Sequence, residues 1–209
     1  MMTHRVRRAS KRDQQREATQ QRVYGAALAI FRRDGVADAR IEDIAALAGV
    51  SRATFYFHFP TKDLVLLEHL RQSESRTAVL LDALPEDASM DDVLGTVRKS
   101  VAEEWRSDPE LFAEVGIVGL RVNVPSRGEL MTERRDASPL RISLSRRLRA
   151  LQTSGGFDSP IPAELLADLF LFNIFAATFT WSGHQAIPLD LVLEHVTALL
   201  LRGVRRDPS

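Results

Sequence analysis

The sequence predicts an all-α protein in which a small N-terminal three-helix domain precedes a larger helical bundle. Apolar residues recur with the helical period of about 3.6 positions along most of the chain, which is typical of helices with one buried face. No segment keeps the strict alternation of apolar and polar residues that a half-buried strand requires. The nine prolines lie between the periodic segments and mark helix ends, because proline is not tolerated in a helix interior.

Residues that favour helix ends set the boundaries of the individual elements. Gly49 suits the left-handed conformation in which many helices end, and Ser51 offers a side-chain oxygen to the first turn of the next helix. The Asp108-Pro109 pair and Ser138 mark two further starts in the same way. The predicted helices cover residues 17–33, 41–48, 52–59, 62–84, 90–106, 110–122, 127–153 with a break near Pro139, 163–181 and 189–205.

A neutral total charge hides a strong asymmetry along the chain. The whole sequence has 28 Lys and Arg residues and 28 Asp and Glu residues. Residues 1–60 hold 11 of these basic residues against 6 acidic ones, whereas residues 61–209 hold 17 against 22. A basic front end followed by an acidic remainder indicates that the first segment meets a polyanion.

The composition argues against several kinds of chemistry. The chain has no cysteine, which rules out disulfides, zinc–thiolate sites, iron–sulfur clusters and thiol catalysis. Its five histidines are not spaced to hold a metal with a nearby carboxylate, and no phosphate-binding or nucleophile motif occurs. We therefore expect neither an enzyme nor a protein with a metal or cofactor.

The sequence also argues against a membrane protein. The longest apolar stretch, residues 165–181, contains Asp168 and Asn173 and is a poor membrane span. The basic start is not followed by the apolar core of a signal peptide. We therefore expect a cytoplasmic protein that does not bind membranes.

Residues 41–59 have the pattern of two short helices joined by a tight turn. Ile44 and Ala45 fall on the inner face of the first helix. Phe55 and Phe59 fall on the inner face of the second helix, because residues four apart share a face. Gly49 lets the two helices approach closely. This is the pattern of a helix-turn-helix, whose second helix enters the major groove of DNA.

Residues 48–64 read A-G-V-S-R-A-T-F-Y-F-H-F-P-T-K-D-L, and this run resembles the TetR family of bacterial transcriptional regulators. The resemblance extends back through the first helix to Gly35. Two positions depart from the family pattern. Ala39 stands where Thr or Ser is common, so either Asp38 caps the second helix or Arg40 replaces a hydroxyl contact to phosphate. Ala53 stands where Gly is common, and its methyl group could contact a thymine methyl.

The resemblance implies which side chains contact DNA. Arg52, Ala53 and Phe57 would read base edges, with Arg52 the candidate for a bidentate contact to guanine. For Tyr56, Phe57 and His58, packing within the protein is the alternative interpretation. The basic residues before the first helix would either add salt-dependent affinity or form a solubilising tail. The expected phosphate contacts are Arg40, Ser51, Thr54, Tyr56, His58 and Lys62.

The resemblance also implies the organisation of the rest of the chain. It comprises a flexible basic arm over residues 1–15, a DNA-binding domain over 16–62 and a ligand-binding and dimerisation domain over 63–209. Two copies would form a homodimer through the segment from Ala163 to Trp181 and the segment from Leu189 to Arg205. Asn173 stands out, because an amide buried in an apolar helix needs a partner. For each expected pocket residue, packing in the core or in the dimer interface is the alternative interpretation. The expected pocket residues are Trp105, Phe112, Val115, Val118, Met131, Phe172, Asn173, Phe175, Phe179 and Trp181.

The function that follows is a dimeric repressor released from its operator by a small, mostly apolar ligand. The predicted helix 62–84 would link the two domains mechanically. Two alternatives remain open at this point. The regulator could respond to a protein partner or act as an activator, or the chain could be a helical interaction module without specific DNA binding.

Overall fold

Residues 10–123, 138–182 and 186–204 are described by a computed structural model of the chain. Within these ranges the regular elements are all α-helices and there is no strand, which confirms the predicted fold class. The helices are α1 (Lys11–Asp38), α2 (Ile41–Ala48), α3 (Arg52–His58), α4 (Lys62–Asp82), α5 (Met90–Ser107), α6 (Pro109–Asn123), α7 (Pro139–Thr153), α8 (Ala163–Ser182) and α9 (Leu189–Val204).

The first helix begins earlier than predicted. Ser10 and Asp13 form a capping box, in which the Ser10 hydroxyl accepts from the Asp13 backbone N–H and the Asp13 carboxylate accepts from the Ser10 N–H. This pair places the start of α1 at Lys11 instead of residue 17. The prediction that the flexible arm extends to residue 15 is therefore wrong for residues 11–15, and residues 1–9 lie outside the described part of the chain.

Helix α1 also extends beyond its predicted end at residue 33, to Asp38, with an interruption at Gly35. Gly35 has φ 77° and ψ 158°, values that L-residues with a side chain rarely adopt, and it interrupts the regular helix. The chain then makes one further turn to Asp38 before α2 begins.

The chain divides into two compact units, Met1–Leu66 and Leu67–Ser209. The boundary falls after Leu66 instead of after Lys62 as predicted, so the first turn of α4 belongs to the smaller unit. The core of the smaller unit comes from all of its helices, and its largest fully buried side chains include Phe55 and Ile44. Its buried residues include Val23, Ala27, Ile30, Phe31, Ile44, Ala45, Phe55, Phe59 and Val65.

The larger unit has a continuous apolar core built from α5, α7, α8 and α9 together with the end of α4. The Trp105 ring lies edge-on to Phe112 and Trp181, with ring centroids 5.3 and 5.6 Å apart. Arg141 on α7 donates to Asp168 on α8 at 2.6 Å, and both side chains are largely buried. This charged pair fixes how α7 and α8 meet, because each ion loses a compensating charge if the helices separate.

By length and composition alone, α8 could cross a membrane. In the structure it packs against α7 and α9 and carries the ion-paired Asp168. These contacts bury one side of α8 within the larger unit.

A single arginine closes the C-terminal end of α4. From α7, Arg147 donates through Nε to the Leu81 carbonyl at 3.0 Å and through Nη1 to the Pro85 carbonyl at 2.9 Å. Its Nη2 donates to the carbonyls of Asp82 and Leu84. The last carbonyl groups of a helix lack partners within the helix, and Arg147 donates to two of them, on Leu81 and Asp82, and to two in the turn that follows.

We expect Arg147→Met to lower the free energy of unfolding of the larger unit by about 2–3 kcal/mol, because hydrogen bonds from a charged donor are stronger than neutral ones. Urea unfolding followed by tryptophan fluorescence measures this, since both tryptophans, Trp105 and Trp181, belong to this unit. The neighbouring Arg146 is the control, because its exposed pair with Asp82 is worth at most about 1 kcal/mol. Equal effects of Arg147→Met and Arg146→Met would contradict this interpretation.

Candidate nucleic-acid interface

The turn between α2 and α3 has the geometry that its sequence predicts. Gly49 adopts the left-handed conformation, with φ 65° and ψ 39°, and the Val50 N–H donates to the Ala45 carbonyl at 3.0 Å. The Ser51 hydroxyl then accepts from the Thr54 N–H at 3.1 Å and caps α3. Two helices are thus joined by a turn with both ends satisfied.

The burial of two phenylalanines fixes the rotation of α3 about its own axis. Phe55 and Phe59 are fully or almost fully buried, as predicted. Arg52, Ala53 and Phe57 consequently point outward, and Phe57 is 64% exposed, which excludes core packing for this ring. Their contacts to bases remain predictions, but the face that would make them is open to solvent.

The remaining polar candidates of α3 lie at the edges of this exposed face. Tyr56 is exposed, and its ring packs edge-on to Phe55 at 5.5 Å. The Ser51 and Thr54 hydroxyls lie 2.9 Å apart. His58 is partly buried, and burial together with the nearby charge of Arg16 lowers its pKa. A neutral His58 would offer phosphate a single N–H donor without a charge.

Arg16 contacts α3, a position that its place in the sequence did not indicate. Its guanidinium lies 5.1 Å from the centre of the Phe57 ring, which is a cation–π contact. Arg16 is one of the basic residues before the predicted first helix, for which the sequence indicates either salt-dependent affinity for DNA or a solubilising tail. The Ser10–Asp13 capping box is the sequence signal that indicates this contact, because a helix that begins at Lys11 places Arg16 alongside α3.

Arg52 also has a partner that spacing alone did not indicate. Its Nη1 lies 2.9 Å from Oε1 of Glu42, which is in the first turn of α2. Both side chains remain about half exposed. A carboxylate thus stands beside the residue expected to read a base.

The start of α2 corrects one of the two capping alternatives. Arg40 occupies the N-cap position and makes no side-chain hydrogen bond to the first turn. Asp38 therefore does not cap α2; it is the last residue of α1, and the buried Ala39 is the C-cap of that helix. Arg40 is exposed, so its side chain is available for the predicted contact to phosphate.

Lys62 has a different role from the one predicted. Its Nζ donates to the carbonyl groups of Val36 at 2.6 Å, Ala37 at 2.9 Å and Ala39 at 3.2 Å. An ammonium group has three donors, and all three are used within the smaller unit. The ammonium group closes the C-terminal end of α1, and this geometry argues against Lys62 as a phosphate contact.

The residues expected to line a ligand pocket lie in different environments. Trp105, Val115 and Val118 are buried in the larger unit, and Phe112 and Trp181 pack on Trp105. Phe172 and Phe179 instead lie on the outer surface, with Phe172 60% exposed. Phe175 packs against the backbone of Gly116, where an added Cβ atom would meet its ring. Met131 lies outside the described residues.

Asn173 does not have the environment predicted for it. The side chain is only partly buried, and its Nδ2 donates to the Leu169 carbonyl of the same helix at 2.7 Å. One of its two N–H donors is thus used within its own helix. The side chain is less buried than expected, and its contact to a ligand stays a prediction.

An apolar cleft lies elsewhere in the larger unit. It is lined by side chains of α5, α7, α8 and α9 and by Phe157, and none of the predicted pocket residues contributes to it. Among the described residues, no group of three or more histidine, aspartate or glutamate side chains is placed to hold a metal ion.

Comparison with known proteins concerns mainly the smaller unit. Residues 23–68 match a family model described as bacterial regulatory proteins of the tetR family. The transcriptional regulator EthR of Mycobacterium tuberculosis is 35% identical over 79 residues, which cover 38% of this chain and 33% of that protein. The chain thus matches this curated relative over about a third of its length.

Two solved structures share the fold over nearly the whole chain. FadR of Thermus thermophilus, a repressor solved in complex with lauroyl-CoA, superimposes with a TM-score of 0.67 at 23% identity, covering 91% of this chain and 98% of that one. FadR of Bacillus subtilis, solved with stearoyl-CoA, gives a TM-score of 0.64 at 19% identity, covering 88% and 99%. At this identity the likeness establishes the fold.

The role of Lys62 can be tested by replacing it with methionine. We expect Lys62→Met to lower the stability of the smaller unit by about 1.5–3 kcal/mol, since the carbonyl groups at the end of α1 lose a charged donor. Hydrogen exchange of backbone amides in α1–α3 measures this locally. Lys11→Met at an exposed position is the control and should change stability by less than about 0.5 kcal/mol. Full stability combined with a weaker salt dependence of DNA binding would instead identify Lys62 as a phosphate contact.

Proposed function

We propose that this chain, which belongs through its N-terminal domain to the TetR family of bacterial regulatory proteins, is a dimeric DNA-binding transcriptional regulator. The observation that carries the proposal is the exposed outer face of α3, with Arg52, Ala53 and Phe57. This face belongs to a helix-turn-helix that matches the family over residues 23–68. Its shape and polarity suit the major groove of DNA.

Selection from a random double-stranded DNA library tests the proposal directly. We expect an enriched palindromic site, because a symmetric dimer presents two copies of α3 to two half-sites. Arg52→Ala should weaken binding to that site by about 1–3 kcal/mol and relax the preference at one base pair. Arg76→Ala, which removes an exposed arginine of the larger unit, is the control and should bind normally. Retention of full sequence preference by Arg52→Ala would refute the assignment.

Dimerisation is supported by the exposed apolar faces of α8 and α9. Leu165, Leu169, Phe172 and Phe179 recur at helical spacing on α8, and all four are exposed. On α9, Leu191 and Leu199 are also exposed, and Leu199 retains 67% of its accessible surface. Apolar side chains exposed on one side of a helix often mark an interaction surface, so we assign these faces to contact with a second copy.

A charge introduced at the centre of this surface should separate the subunits. We expect Phe172→Glu to raise the dissociation constant of the dimer by at least about 100-fold, because an unpaired carboxylate would be buried in the contact. Sedimentation velocity at micromolar concentration measures the change. Ala150→Glu, at an exposed position of α7, is the matched control and should leave the dimer intact. A Phe172→Glu variant that remains dimeric would place the interface elsewhere.

The larger unit is proposed to bind a small, mostly apolar effector that releases the protein from its operator. An apolar ligand is supported by the aromatic cluster around Trp105 and by the close packing of the Phe175 ring on Gly116. Movement of the Trp105 ring or of the Phe175 ring would open a space lined by apolar side chains. The acyl-CoA ligands of the two FadR structures are consistent with an apolar effector. Helix α4 runs from the smaller unit into the larger one, and it is the proposed mechanical link.

The proposal is that of a binding protein acting in the bacterial cytoplasm, without an enzymatic step. The relatives that match the smaller unit are transcriptional regulators. Repression is proposed as the sign of regulation. A coupling of about 1–3 kcal/mol between effector and operator, or roughly 5- to 150-fold in affinity, is typical of such regulation.

A further inference from the structure

We propose that Glu42 is a positioning residue for sequence recognition, which holds Arg52 in the orientation that reads a guanine. The inference rests on the proposed function, since it requires that α3 enters the major groove. It adds a residue from outside the recognition helix to the set that determines specificity. The observation behind it is the contact between Nη1 of Arg52 and Oε1 of Glu42 at 2.9 Å.

The contact leaves the useful edge of the guanidinium free. An arginine side chain carries donors on Nε, Nη1 and Nη2 in a fixed planar arrangement. Glu42 engages Nη1, and among the described residues no other ion-pair partner is recorded for Arg52. Nε and Nη2 lie on the opposite edge and can donate side by side to O6 and N7 of guanine. A single carboxylate can therefore orient the arginine without competing for the donors that the base needs.

The pair gains its effect by reducing the freedom of Arg52 before DNA arrives. A free arginine has many rotamers, and ordering one such side chain on binding costs about 2- to 12-fold in affinity. The contact with the Glu42 carboxylate already restricts the Arg52 side chain in the free protein, so less freedom is lost when DNA binds. Both side chains are about half exposed, so water still screens their attraction. The pair is therefore suited to orienting Arg52 and contributes little to the stability of the fold.

The position of Glu42 is fixed independently of Arg52. It lies in the first turn of α2, where the partial positive charge of a helix N-terminus favours a carboxylate. Ile44 and Ala45 of the same helix are buried, so α2 cannot rotate to withdraw Glu42. The neighbouring Asp43 shares the turn and the charge, but its carboxylate faces Arg33 at 4.0 Å instead of Arg52.

Asp43 therefore provides a matched control for the test. Glu42→Gln and Asp43→Asn each remove one negative charge from the same turn, so both should raise affinity for DNA of random sequence to a similar extent. Only Glu42→Gln should also reduce discrimination at the base pair read by Arg52, by about 2- to 12-fold. Glu42→Asp keeps the charge but shortens the side chain, and it should lose discrimination at unchanged affinity for random DNA.

The measurement compares the selected site with the same site altered at that one base pair, using the full-length dimer. A double-mutant cycle completes it, since Glu42→Gln should have no further effect on discrimination when Arg52 is already alanine. Thermal unfolding of each variant verifies that the exposed substitutions leave the fold intact.

The outcomes separate the two proposals. If Arg52→Ala loses discrimination while Glu42→Gln and Glu42→Asp retain it, the role of Glu42 is refuted and the proposed function stands. If Glu42→Gln discriminates better than the unchanged protein, the carboxylate obstructs Arg52, and the proposal is likewise overturned. If no DNA sequence is selected at all, both the function and this inference fail.

Discussion

The orientation of α3 depends on the burial of Phe55 and Phe59. A helix of seven residues has too few internal hydrogen bonds to be stable alone, so its position is set by what its apolar side packs against. Phe55 is completely buried, and together with Phe59 it fixes the angle at which the helix lies on α1 and α2. The outward direction of Arg52, Ala53 and Phe57 follows from this anchoring. The same anchoring therefore decides which side chains the candidate interface exposes to solvent.

Cationic side chains donate hydrogen bonds to the carbonyl groups at the C-terminal ends of two helices. Lys62 binds the carbonyl groups that end α1, and Arg147 binds those that end α4. The two residues are related through α4, since Lys62 begins that helix and Arg147 holds its other end. Helix α4 is thus fixed at its start within the smaller unit and at its end within the larger one by charged hydrogen bonds, which suits its proposed role as a mechanical link.

The helices and the turn could be predicted from the sequence because their causes are local. Gly49, Ser51 and Ser138 act on residues within one turn, and the 3.6-residue period identifies Phe55 and Phe59 as buried. The start of α1 was missed although its signal is also local: the Ser10–Asp13 capping box stands inside a basic segment that otherwise indicates an unstructured arm.

Partners distant in the sequence could not be predicted in this way. Nothing near Lys62 indicates that its ammonium reaches carbonyl groups more than twenty residues earlier, and the spacing of Glu42 and Arg52 does not specify a contact across a turn. Asn173 shows that local contacts can also escape prediction, because its Nδ2 donates to a carbonyl group of its own helix. Periodicity identifies the buried face of a helix but not the reach of a long polar side chain.

The first turn of α2 shows how charge and stability compete at this interface. Arg40 is a poor N-cap, and a serine there could form a capping box with Asp43, worth about 1 kcal/mol. The chain instead keeps a positive charge at an exposed position and relies on Glu42 and Asp43 to favour the helix N-terminus. Those carboxylates repel phosphate, which weakens attraction to DNA of any sequence. Since Glu42 also contacts Arg52, the same charge that lowers indiscriminate binding can orient the side chain that discriminates between bases.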